Sequence, residues 1–153
     1  MALAMSVLFV VPPIVYGEVV VSGADNDRIS NRYAKAAAYY RVVSLANKST
    51  GNFEEMKRYQ AADFVATSYA LAFAIDGRNN GDALYVVMSR IQVHQKTMMK
   101  EIGHDYNNVS IIMHTYQTDC DKLINSPSDY VRVYMERHQE SLKEIYGYIK
   151  NNY

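Results

Sequence analysis

The stretch AADFVATSYALAFAI, Ala61 to Ile75, is apolar on nearly every side of a helical projection, and its reading decides the fold. Its 15 residues, with Asp63 among them, are too few and too polar for a membrane span, so the stretch predicts a core helix buried on several sides. Its alanines let neighbouring helices approach closely. Upstream, Asn52 followed by Glu55 resembles a capping box, which starts this second helix. The turn-forming NKSTG at Asn47–Gly51 ends a first helix running from Arg28 to about Asn47, with Ile29, Tyr33, Ala36, Tyr40 and Val43 on one stripe and Asn26 or Asp27 as its cap.

Downstream, DGRNNGD at Asp76–Asp82 is the clearest loop in the chain. A third helix follows, with Leu84, Val87, Met88, Ile91, Gln95, Met98 and Ile102 on one face and Gly103 placed to end it. Asn107 or Asn108 starts a fourth, whose stripe is Val109, Ile112, Met113, Tyr116, Cys120 and Leu123. Ser126, Pro127 and Asp129 then supply cap, first helical residue and acidic first turn of a fifth helix. Val131, Met135, His138, Leu142, Ile145 and Ile149 recur along it at spacings of four and three, as one unbroken seam. The expected fold is all-α, an antiparallel bundle of four or five helices with an apolar N-terminal leader, and residues 28–153 form its single domain.

Residues 1–17 carry no charge and open with MALAMSVLFVVPPIVY. The run is short for a membrane span and holds the Pro12–Pro13 pair, which breaks a helix. It resembles the hydrophobic part of a secretory leader; Val15 and Gly17 suit the cleavage site, although the usual basic start is missing. An exported protein is the expectation, with an uncleaved membrane anchor as the alternative. Residues 18–27 read as a linker or a brief strand.

Sixteen Lys and Arg balance sixteen Asp and Glu, so no general attraction to nucleic acid or anionic lipid is expected. One cysteine rules out both an intrachain disulfide and a cysteine-based zinc site. Glu101 and His104 have the Glu-x-x-His spacing of di-iron bundles, but the pair occurs once, and a helix-end role for His104 is favoured over a metal. His138 lies in the apolar seam, where a hydrogen-bonded core histidine is expected. Gln95 holds a similar place. Asp63 is expected to be paired or at the core edge, and Cys120 to be a small buried hydrophobe. No nucleophile elbow, phosphate loop or dinucleotide fingerprint occurs, so neither catalysis nor a cofactor or metal is expected.

Function is sought instead in the 14 tyrosines. At about 100° per residue, Tyr130 and Tyr148 fall on one lateral edge of the last helix with Arg137 between them, and Tyr39 falls on an edge of the first. Such a Tyr and Arg edge suits a protein interface, and packing against a neighbouring helix is its structural alternative. Arg78 and Asn79 in the loop form a second candidate contact. The expected function is binding of another protein, as an inhibitor, immunity factor or secretion accessory does, with a second copy of the chain among the partners allowed. The alternative is a bundle that holds an apolar small molecule in its core, suggested by Met88, Met98 and Met99.

Overall fold

The computed structural model describes residues 23–152, and both the leader and the first part of the expected linker lie outside them. The described residues are all-helical: α1 Gly23–Ser49, α2 Phe53–Ile75, α3 Asn80–Glu101, a 3-10 turn at Tyr106–Asn108, α4 Ser110–Asn125, α5 Asp129–Arg137 and α6 Gln139–Asn152. Local chemistry accounts for most of the boundaries. Asn52 Oδ1 accepts from the Glu55 amide and Asn79 Oδ1 from the Asp82 amide, which satisfies first-turn donors of α2 and α3. Past α3, Gly103 and His104 both take positive φ, and the His104 amide donates back to the Met99 carbonyl at 2.7 Å.

The core is built around α1. Ala34, Ala36 to Tyr40, Val42 and Val43 are buried, and α2, α3 and α4 all pack on this helix. Alanine at four of these positions removes side-chain bulk where those neighbours press in. The central place expected for α2 is thus shared, and α1 is the more enclosed. Only Ala66 to Ile75 of the long apolar stretch is continuously inside, apart from half-buried Tyr69, whereas Phe64 and Val65 face outward.

Two expected boundaries are corrected. The first helix starts at Gly23, so Asp25, Asn26 and Asp27 are helical rather than linker or cap. Asn26 is buried, and its amide and the Asp27 carboxylate find partners far along the chain, which makes turn-forming residues stable inside a helix. The last helix is two. α5 begins under the Ser128 hydroxyl, not at Ser126, and ends at His138, whose φ of −102° and ψ of 14° leave the helical region before α6 resumes. α5 packs on α2, and α6 packs on α2 and α3.

Candidate functional site

A polar cluster joins the ends of three helices. Asn26 of α1 donates from Nδ2 to Asp76 Oδ2 at 2.9 Å and to the Tyr134 hydroxyl at 2.7 Å, and its Oδ1 accepts from Tyr130 at 3.2 Å. The Tyr134 hydroxyl in turn donates to Asp76. His138 Nε2 lies 3.5 Å from the other Asp76 oxygen, poorly aligned for a hydrogen bond and without another partner among the described residues. The His138 side chain is 13% exposed, and burial holds its pKa below the ordinary histidine value although Asp76 pulls the other way. At the next position of α1, the Asp27 carboxylate takes Arg78 and Arg90 at 3.0 Å each. The Arg78 hydrogen bond is the larger cause of its lowered pKa, with Arg90 reinforcing it against burial. These bonds fasten α1 to the α2–α3 connection and to α5, and they use up the residues that make them.

Of the residues expected on exposed helix edges, Tyr39 and Tyr130 are turned inward, and the two loop residues, half-buried Arg78 and exposed Asn79, are tied into the fold. Tyr39 is 0% exposed inside the α1 core, because that helix is covered on every side its tyrosines could take. Tyr130 points into the bundle, its ring 5.7 Å from Phe73 and 5.2 Å from Tyr134. Arg78 is held by Asp27, and Asn79 spends its side chain on capping α3. Arg137 and Tyr148 are exposed, Tyr148 by 59%; Arg137 shares α5 with Tyr130, and the break at His138 separates Tyr148 from both.

The other singled-out groups are accounted for. Asp63 takes two hydrogen bonds from Arg41 and one from Thr67. Burial pushes the Cys120 thiol up to about 12, so it stays neutral as an apolar side chain. Glu101 accepts from the Tyr116 hydroxyl at 2.7 Å, and His104 is the left-handed residue after α3. Among the described residues, no three His, Cys, Asp or Glu side chains converge as a metal site. Nor is any described helix long and apolar enough to cross a membrane. Met98 fills the core, whereas Met88 is half-buried against it and also lines a surface groove.

Two concavities stand out among the described residues. A groove of about 950 Å³ runs between α2 and α6, floored by Met88, Met135, Leu142 and Ile149 and rimmed by Phe64 and Tyr146. The Phe64 and Tyr146 rings meet at 4.7 Å, and the Tyr146 hydroxyl is bonded to Ser68, which fixes that ring on the rim. A second pocket, of about 560 Å³, opens between α1, α4 and the start of α5. Neither was visible in the sequence: Phe64 belongs to a stretch apolar all round, where helical phase does not tell inside from outside. The chain matches no protein family, no curated protein and no solved structure with which it was compared.

Proposed function

We propose that this chain is a small exported protein-binding domain, an antiparallel helical bundle without chemistry of its own, whose α2–α6 groove receives an apolar segment of another protein. One observation carries the reading. Phe64 is 56% exposed while its ring is held against Tyr146 at the mouth of a groove floored by two methionines, a leucine and an isoleucine. A large aromatic ring left in water gains about 1 to 2 kcal/mol when a partner covers it, and flexible methionines adapt to the covering surface. The groove geometry suits an amphipathic helix laid along it. Around the rim, Lys143 is paired with Glu140 and Arg41 with Asp63, which leaves Lys150 without an ion pair among the described residues. The matching segment therefore carries an acidic residue at its edge. An inhibitor, immunity factor or secretion accessory works through such a surface. Export rests on the leader sequence alone, and places the mature N-terminus near Glu18.

A photo-crosslinking amino acid at position 64, introduced in the native host, tests the site. A discrete protein adduct at 64 and none at the equally exposed Val93 of α3 is the expected result. Matching adducts at both positions, or none at 64, would remove the groove as the interface. An adduct with a second copy of the chain would make the partner the protein itself.

A further inference from the structure

The pocket between α1, α4 and α5 sets basic side chains above apolar walls. The chain as a whole balances its charges, sixteen against sixteen, while this pocket's lining carries Arg32, Lys35 and Lys122 against the single carboxylate of Asp119; the α2–α6 groove has as many cations, but Arg41 and Lys143 there are ion-paired. Lys35 rests its ammonium over the Tyr116 ring, 4.5 Å from the centroid. Arg32 and Lys122 make no ion pair among the described residues. Below these heads the walls are apolar: Ile29 and Ala36 from α1, Leu123 and the neutral Cys120 from α4, and Val131 from α5. The pocket's volume of about 560 Å³ falls within the range usual for small-molecule sites.

We infer that this pocket binds a small amphipathic anion, a single carboxylate-type head on an apolar body, with Arg32 and Lys122 taking the head and Ile29, Leu123 and Val131 the body. The two halves of such a ligand need different surroundings, and the pocket supplies both within one opening. Arg32 offers the planar fork that matches a carboxylate, and Lys122 offers a mobile point charge. The Tyr33 hydroxyl does not compete for the head, because it donates to the Leu123 carbonyl at 3.4 Å. Tyr130 lines the same pocket and bonds to Asn26, so a ligand here touches the cluster that ties α5 to α1. This site is separate from the α2–α6 groove, and its occupancy does not depend on the protein partner proposed for that groove.

Three probes separate the contributions: octanoate carries head and body, octanol the body alone, and inorganic phosphate a head alone. Titrated into the full chain at pH 7 and followed by methyl NMR, octanoate is expected to shift Ile29, Leu123 and Val131 with a dissociation constant on the order of a millimolar. Octanol should bind at least about fivefold more weakly and phosphate should give no saturable shift. The double variant Arg32→Gln/Lys122→Gln changes two exposed side chains, so it should keep the wild-type melting temperature while losing octanoate affinity about tenfold. Equal binding of octanol, unchanged octanoate binding by the double variant, or saturable binding of phosphate alone would each overturn the inference. So would shifts confined to Leu142 and Ile149 of the other groove, or an absence of shifts at ten times the expected dissociation constant.

Discussion

Replacing Tyr130 with alanine removes a ring packed between Phe73 and Tyr134 and a hydroxyl that donates to buried Asn26. The change leaves a cavity and an unsatisfied carboxamide oxygen, so it should destabilise the protein by about 2 to 4 kcal/mol. Tyr148→Ala, on a residue that is 59% exposed, should stay within about 0.5 kcal/mol of wild type. Thermal unfolding of the two single variants checks both, and equal losses would contradict their different environments. The two tyrosines look equivalent in the sequence because the phase argument carries one helix axis from Val131 to Ile149. The non-helical backbone of His138 interrupts that axis, and nothing in the identity of a histidine announces such a break.

Element by element, the helices with one solvated face were the legible ones. The α3 stripe of Val87, Ile91, Met98 and Ile102 is buried as its spacing predicts, and Ile112 and Cys120 mark the inner face of α4. Periodicity says little about α1, which is enclosed on several sides, or about the apolar all-round α2, and those two helices hide Tyr39 and expose Phe64 respectively. The start of α1 was missed because Asn26 and Asp27 favour caps and turns when considered alone, whereas Asp76, Arg78 and Arg90 satisfy them from 50 or more residues away. The candidate surfaces were illegible for a related reason: each is assembled from helices distant in sequence. The end of α3 offers a test at this scale. His104 at a φ of 59° carries a Cβ in a region that favours glycine, even though its neighbour Gly103 already turns the chain. His104→Gly should therefore raise stability by about 0.5 kcal/mol or more, read as a higher urea midpoint with an unchanged slope. A lower midpoint would mean that the imidazole itself supports the helix end.

Across the whole molecule, the buried histidine makes stability depend on pH. The folded state disfavours charged His138, through burial and the nearby Arg137, more than Asp76 favours it. The unfolded chain therefore takes up this proton first as pH falls through about 6.5, and stability declines from there toward the lower folded value. His94, lowered by burial and by Lys35, acts in the same direction. The Asp27 clamp keeps its contribution until the pH drops below the ordinary carboxylate value of 3.8, so it does not enter this window. Urea unfolding at pH 7.5 and 5 should show the loss, and His138→Gln should shrink the difference between the two. An undiminished difference would assign the effect to His94 or to other groups.

The packing of α6 on α2 and α3, while α1 carries α2, α3 and α4, sets a hierarchy of opening. The first four helices keep their shared interior if α6 lifts away, so the amides of α6 exchange with solvent through a partial opening that costs less than global unfolding. Lifting α6 also widens the groove beside Phe64 into a trough along α2. Occupancy of the groove and protection of the α6 amides are thus linked quantities: a guest that sits beside α6 slows its exchange, and one that takes its place on α2 hastens it.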